Sequence, residues 1–536
     1  MHQTSYFLRR NAGLFPNRVA MVSNGTEISY KELNAAANRC ASSLKRQGIK
    51  PGDKVAYVMA NSIESTVIWE ATQKIGACAT PLNTRINGGS IAESIDFVDA
   101  KAVFFDTARR DTVIDALRNI DYSGLVVSTD ENTEASDGTV AMRDFLARGF
   151  EEEACEELSP DCPSIILFTS GTTSMPKAVL RTRQMVYDCA TILQIENKNP
   201  EPIVDVMYSQ PPHYHLGGFF MMLKMCALGG TLICEPRFDS HIIFDRIEHY
   251  GVTQIYMIPP NLFTQMLLSE AWQGRDLSSV RQAQCAGGKS STKICEAIFT
   301  MFPNARVRVS WGASETGMPT ATLFTREQLE RKPELASSVG RICANVEVKL
   351  VNDEGQTCKA GEVGEALVKA STIFAGYVKQ PELTAQRLDS SGWLHTEDLL
   401  RVDEEGYYYL VDRKRDIVKT GGENVYAQEV ERCLNEYPAV LDSAVIGVPD
   451  DRFGEAVAAA LVIDPEADDF RIENLLAFFR LRMPGYMKPQ YFVVMEELPK
   501  NSIGKIQKDE LRAKPELFHP IPGMPQTRLT PVSFSG

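Results

Sequence analysis

Between Lys54 and Trp311 the chain switches repeatedly between two hydrophobic periods. Short apolar runs, KVAYVMA (54–60), AKAVFFD (100–106), SIILFT (164–169), TLICEP (231–236), TQIYMIP (253–259) and RVRVSWG (306–312), alternate with helix-periodic stretches such as SIESTVIWEATQKIGA (62–77) and TVIDALRNI (112–120). Buried strands alternating with helices build βαβ units and parallel sheets, so the chain reads as α/β. After residue 340 the texture changes. VEVKLV (346–351), EALVKA (365–370) and YYYLVDR (407–413) alternate with period two, separated by the turns NDEG (352–355) and DEEG (403–406). That is the pattern of antiparallel hairpins or a small barrel. Past the charged DRKRD (412–416), helical AQEVERCLNEY (427–437) and IENLLAFFRLRM (472–483) flank strand-like DSAVIGV (442–448) and VAAALVI (457–463), a small α+β unit. The expected organisation is a large N-terminal domain over 1–411, made of βαβ subdomains with a small β-barrel-like part. A hinge at 412–416 and a small mobile α+β domain over 417–536 follow. The acidic STDENTEASDG (128–138) and EEEACEE (151–157) read as solvated loops, and the proline-repeating tail from Pro515 as extended.

Composition narrows the function. The 536 residues hold 56 Lys and Arg against 70 Asp and Glu, a net charge of −14. A field of that sign repels phosphate backbones and anionic lipid surfaces, which argues against general nucleic-acid binding but leaves room for a local pocket for a small anion. The apolar run at 456–463 is far short of the ~20 residues of a membrane span. The N-terminal MHQTSYFLRRNAG has no apolar h-region. A soluble, cytoplasmic protein is expected. The 12 cysteines are scattered without a C-x-x-C, and the 7 histidines include one close pair, His213 and His215, with no H-E-x-x-H. Neither a disulfide scaffold nor a metal held mainly by His and Cys fits that spacing.

The chemistry begins at Phe168-Thr-Ser-Gly-Thr-Thr-Ser-Met-Pro-Lys177, directly after the buried run SIIL. Hydroxyl residues and a glycine in a loop leaving a strand offer many donors to an anion, and Lys177 adds a positive charge. Such a loop suits the β/γ-phosphates of a nucleotide. Gly288-Lys289-Ser290 ends like a Walker A loop, but position 283 is Ala where that motif needs glycine, and no G-x-G-x-x-G occurs. Nucleotide binding by another architecture is what remains.

Further motifs follow in order: Trp311-Gly-Ala-Ser-Glu-Thr-Gly317, Gly392-Trp-Leu-His-Thr-Glu-Asp398, Asp412-Arg413-Lys-Arg-Asp416, Gly421-Gly-Glu-Asn-Val-Tyr426 and Pro499-Lys-Asn-Ser-Ile-Gly-Lys505. Together with the loop, they resemble the adenylate-forming superfamily of acyl-CoA synthetases, carrier-protein adenylation domains and luciferases, over essentially the whole chain. The resemblance implies that Thr169, Ser170, Gly171, Thr172, Thr173 and Lys177 hold the phosphates of ATP. It implies that Gly287, Gly288 and Gly312 let backbone approach the nucleotide and acyl carbonyl, that Trp311 stacks on adenine and that Ser314 bonds the α-phosphate. For Trp311 the alternative is core packing. Glu315 is expected to hold Mg²⁺, which takes few carboxylates plus phosphate oxygens. Asp398 would accept the ribose hydroxyls, with Arg413 beside it. Lys505, in a Gly-flanked polar loop, would reach the α-phosphate and the attacking carboxylate. In Pro211-Pro-His-Tyr-His215-Leu-Gly-Gly218, register favours His215 over His213 at the edge of the acyl pocket; a buried structural His is the alternative. FFMMLKMCALGG (219–230) reads as a core helix, with lining of the acyl pocket as the alternative. Arg415 is the implied pivot, and Gly421, Gly422 and Glu423 the implied CoA channel.

The chain departs from the family pattern at Ser174, Ala178, Glu397 and Ala427, where Gly, Gly, Gly and Pro are usual; Glu397 is read as pointing to solvent. The T-S-G-T-T-S and G-G-E-N-V variants most resemble carnitine and aliphatic acyl-CoA ligases. The expected activity is AMP-forming acyl-CoA ligation using ATP, Mg²⁺ and coenzyme A on a small-molecule carboxylic acid with an apolar body. Loading of a separate carrier protein and non-catalytic nucleotide or acyl binding are the rivals.

Overall fold

The computed structural model describes residues 4–130, 138–153, 156–169, 177–197, 204–288, 290–465, 467, 470–501 and 504–520. The chain divides into two compact units, one of residues 1–348 with 368–394 and one of 349–367 with 395–536. The division expected at residue 412 falls inside the second unit.

In the first unit the apolar runs become two mixed sheets. One runs Thr26–Ser29, Val19–Ser23, Thr231–Cys234, Val206–Ser209, Gln254–Met257, Gln282–Cys285, Arg306–Trp311, Thr320–Phe324, Ser338–Ile342 in spatial order. The strands from Val19–Ser23 through Arg306–Trp311 are parallel, and those at either end antiparallel. The other sheet runs Gly376–Tyr377, Lys177–Thr182, Pro163–Thr169, Cys78–Pro81, Lys54–Val58, Ala100–Phe105, Leu125–Ser128, Val140–Ala141.

Helix Ile63–Ile75 illustrates how sequence sets these elements. The Ser62 hydroxyl accepts from the Ser65 N–H at 3.1 Å, a cap typically worth about 1 kcal/mol, and Gly76 stops the helix in the left-handed region. Every residue from Ser65 to Ile75 is buried. The Trp69 ring meets Phe219 of helix Leu216–Leu228 edge-on, centroids 4.7 Å apart, within one continuous core. Helix Leu216–Leu228 is thus a core helix, as its Phe and Met stripe implies.

In the second unit, strands Leu394–Val402 and Tyr408–Arg413 pair antiparallel as the period-two pattern requires. Strands Val440–Asp450 and Gly454–Ile463 form a long antiparallel pair, onto which helices Ala427–Asn435 and Ile472–Arg480 pack Val430, Leu434, Leu475 and Phe479. The described part of the proline-repeating tail holds a short 3₁₀ turn, Pro515–Leu517, and a two-residue strand, His519–Pro520, rather than extended chain alone. The described cysteines are free and mostly buried. Among the described residues no helix is long and apolar enough to cross a membrane.

Candidate active site

Four neighbouring parallel strands of the first unit end at Ser209, Met257, Cys285 and Trp311, and the loops leaving those ends carry His213 and His215, Ile258, Gly287 and Gly288, and Gly312 to Glu315. Open α/β sheets place ligand sites outside the carboxyl ends of their strands. The phosphate-loop candidates Ser170, Gly171, Thr172 and Thr173 lie outside the described residues. Their posts are fixed: Thr169 and Lys177 face each other in an antiparallel pair, with the Thr169 hydroxyl donating to the Lys177 carbonyl at 3.5 Å.

The turn after Trp311 is held from several sides. A Cβ on Gly312 would lie 1.9 Å from the Gly317 carbonyl oxygen, so only glycine fits. The Ala313 N–H donates to Thr316 Oγ1 at 2.8 Å, and the Phe374 N–H to the Glu315 carbonyl at 2.9 Å. Arg181, fully buried, donates from one nitrogen to the Ser314 carbonyl and from another to the Thr372 carbonyl, both at 2.6 Å. Burial pulls its guanidinium below the ordinary arginine value, against the opposing fields of Cys189 and Glu315. The Tyr377 hydroxyl donates to Glu315 Oε1 at 2.8 Å, and the Lys177 ammonium stands 5.5 Å from the centre of the Tyr377 ring. Lys177, Glu315 and Ser314 therefore share one neighbourhood. Arg181, Thr372 and Tyr377 were not anticipated.

Among the described residues no three His, Cys, Asp or Glu side chains gather into a metal cluster. Glu315 fits Mg²⁺ in another way. It is half-buried, its Oε1 is occupied by Tyr377, and among the described residues Oε2 makes no hydrogen bond or ion pair. A single oriented carboxylate completed by phosphate oxygens suits that ion.

On the acyl side, His213 is buried and neither ring nitrogen finds a partner among the described residues; burial alone lowers its pKa to about 4, so the ring is neutral. His215 is half-buried at the start of helix Leu216–Leu228, its ring tilted against Tyr214 at 5.4 Å. Gly287 has a positive φ of 70°, and a Cβ there would meet Ile258 Cγ2 at 2.9 Å; Gly288 abuts Pro260. Trp311 is buried where its strand ends opposite Thr320.

In the second unit Asp398 and Arg413 are register partners, with Nε to Oδ1 at 3.4 Å. Glu397 before them is exposed but sits at φ 60°, the left-handed region, which is the physical reason a glycine suits that position. Lys505 follows Gly504 at φ 76° in a tight turn, its N–H donating to Asn501 Oδ1 at 2.9 Å. Its ammonium is drawn down to about 8, by desolvation first and then by repulsion from Arg413, with Asp398 opposing, Arg415 repelling and Asp416 opposing. The residue itself is exposed, so the desolvation part is softened by water and the repulsion from the guanidinium groups is the firmer cause. Lys505, Arg413 and Asp398 thus share one electrostatic neighbourhood.

The expected hinge is tethered at both ends. Buried Asp412 accepts from the Arg413 and Gln428 N–H groups at 2.7 and 3.1 Å, and Asp416 pairs with Arg512 at 2.5 Å. Arg415 between them is exposed, 3.7 Å from Asp509. Gly421 and Gly422 have φ of 57° and 88°, and they and Glu423 are exposed.

Residues 8–378 match the sequence model of the AMP-binding enzyme family, and residues 429–505 that of the AMP-binding enzyme C-terminal domain. The chain belongs to the AMP-binding enzyme family. It is 29% identical over 515 residues to the indoleacetate–CoA ligase of Aromatoleum aromaticum, covering 95% of this chain and 98% of that one. It is 30% identical over 521 residues to the long-chain-fatty-acid–CoA ligase FadD13 of Mycobacterium tuberculosis, covering 96% and 98%. The ATP-bound structure of MatB from Rhodopseudomonas palustris is similar with a TM-score of 0.83 at 27% identity, covering 96% of this chain and 99% of that one. The α/β fold and the superfamily resemblance drawn from the motifs are borne out.

Proposed function

We propose that this AMP-binding enzyme is an AMP-forming acyl-CoA ligase. An oxygen of a carboxylate attacks the α-phosphorus of ATP, the bond to the bridging oxygen breaks and diphosphate leaves. The thiol of coenzyme A then attacks the acyl carbonyl of the adenylate, the acyl–phosphate C–O bond breaks, and AMP departs with the thiol proton passing to solvent. The observation that carries this reading is the shared neighbourhood of Lys177, Ser314 and Glu315, joined through Tyr377 and Arg181, in a chain matched over 95–96% of its length by CoA ligases.

The roles follow from charge. Joining two anions requires cations, so Lys177 neutralises the departing phosphates and Lys505 the α-phosphate and the carboxylate. Glu315 would hold Mg²⁺, which supplies charge neutralisation on the phosphates. Thr169 and the loop through Thr173 add donors, Ser314 bonds the α-phosphate, Trp311 covers adenine beside Gly312, and Asp398 with Arg413 binds ribose. His215, Gly287 and Gly288 border the acyl carbonyl. The apolar residues near His215 and from Ile255 to Phe263 favour an acid with an apolar body. In the second half-reaction the small domain turns about Arg415 and presents Gly421, Gly422 and Glu423 along the CoA channel.

The test is diphosphate release across a panel of aliphatic acids, aryl acids and amino acids, with CoA, a carrier protein or no acceptor. Acyl-CoA and AMP appearing in equal amounts only with CoA supports the reading. Turnover with a carrier protein alone, or with free amino acids alone, would replace it.

A further inference from the structure

Tyr377 lies 62 residues from Glu315 in sequence and bonds its carboxylate. The residue is 4% exposed, on the short strand Gly376–Tyr377 whose register partner, Val179, is two residues beyond Lys177. Its backbone is fixed as well: the Tyr377 N–H donates to Thr384 Oγ1 at 2.9 Å. Burial and the charge of Glu315 raise the phenol pKa, so the group stays protonated and acts as a donor, while the Arg387 guanidinium hydrogen-bonds the same phenol. On its other side, the ring face lies within cation–π range of Lys177.

We infer that Tyr377 is a two-sided positioning residue for adenylation: its hydroxyl clamps Glu315 Oε1 so that Oε2 is presented to the divalent cation, and its ring holds the Lys177 ammonium at the exit of the phosphate loop. The inference rests on the roles proposed above for Glu315 and Lys177. It separates two functions that one residue carries at different atoms. Removing the hydroxyl alone should weaken the metal site and leave metal-free ATP binding in place. Removing the ring as well should weaken both.

The test uses the full-length protein and its Tyr377→Phe, Tyr377→Leu and Glu315→Gln variants. Mn²⁺ binding in the presence of ATP is followed by electron paramagnetic resonance, and ATP binding in chelator by calorimetry. Because a hydrogen bond to a charged group is lost, Tyr377→Phe is expected to weaken Mn²⁺ binding about tenfold and to change metal-free ATP affinity less than about twofold. Tyr377→Leu is expected to weaken metal-free ATP binding a further ~3-fold through the lost cation–π contact. Far-ultraviolet dichroism and the thermal midpoint establish that the Phe variant is folded. If Glu315→Gln weakens Mn²⁺ binding and Tyr377→Phe does not, the positioning role falls while the reading of the site stands. If Glu315→Gln leaves Mn²⁺ binding unchanged, both fall. Equal loss of metal and metal-free binding in Tyr377→Phe marks a packing role only and also overturns the inference.

Discussion

Lys505 offers the sharpest test of the electrostatics. It must be a cation to draw an α-phosphate and a carboxylate together, and its ammonium is drawn down from an ordinary 10.5 to about 8. A group with that value is about 90% protonated at pH 7 and only about 10% protonated at pH 9, whereas an unperturbed lysine would keep more than about 95% of its charge at pH 9. The sign is therefore a loss of adenylation as pH rises. The value of kcat/KM for ATP reports the free enzyme, so it is the quantity to follow, by ATP–diphosphate exchange at saturating acid and fixed free Mg²⁺. Because Lys505 is exposed, water moves the break upward from 8, and a break below about 9.5 is expected, with a tenfold fall per pH unit beyond it. Arg413 is the largest charged contributor, so Arg413→Met should move the break upward even as it lowers the rate. Lys505→Arg, which stays charged, should give a lower but flat profile. A flat wild-type profile to pH 10, or a break that survives in Lys505→Arg, refutes the reasoning.

Other outcomes follow from the same geometry. Glu315→Gln keeps the Tyr377 contact but loses the charge, so adenylation should fall at least about 100-fold while metal-free ATP binding persists; unchanged exchange at limiting Mg²⁺ would remove Glu315 from the site. Lys505→Ala should abolish adenylate formation yet leave CoA transfer from supplied acyl-adenylate largely intact, and Arg415→Pro, which fixes φ, should do the reverse if the adenylating pose is retained; single-turnover assays showing equal loss of both steps in both variants would defeat the two-pose scheme. His213→Leu removes a buried imidazole whose nitrogens find no partner among the described residues, so the midpoint of urea unfolding should rise by the equivalent of about 1 kcal/mol, and a fall would mean the ring has a partner.

The sequence exposed elements whose cause is local. A phosphate loop is visible because hydroxyl residues, glycine and lysine crowd into ten positions, and the strand–helix alternation because burial imposes a period. Gly287 and Gly312 are legible for a similar reason: their backbone needs leave a residue type behind. Arg181 and Tyr377 were invisible because each is one ordinary residue in an ordinary strand, and its role exists only through partners 62 to 191 residues away. The left-handed φ at Glu397 was hidden because the chain carries a non-glycine residue there. The interleaving of the two units was hidden for the same reason as Arg181, since no change in composition marks residues 368–394 as returning to the first unit.

That return has a consequence for how the protein is made. The first unit recruits Thr372, Phe374 and Tyr377 from a segment synthesised after residues 349–367, which belong elsewhere. On the ribosome, emerging at about 5–20 residues per second, the strand bearing Arg181 must wait many seconds for its carbonyl at Thr372. Until then a buried guanidinium lacks one of its two carbonyl acceptors, and the turn at Ser314–Glu315 has no second wall. Any fragment ending near residue 348 would carry that deficit permanently. A released fragment ending near residue 348 should therefore remain protease-sensitive around the Glu315 turn, although it carries most of the first unit.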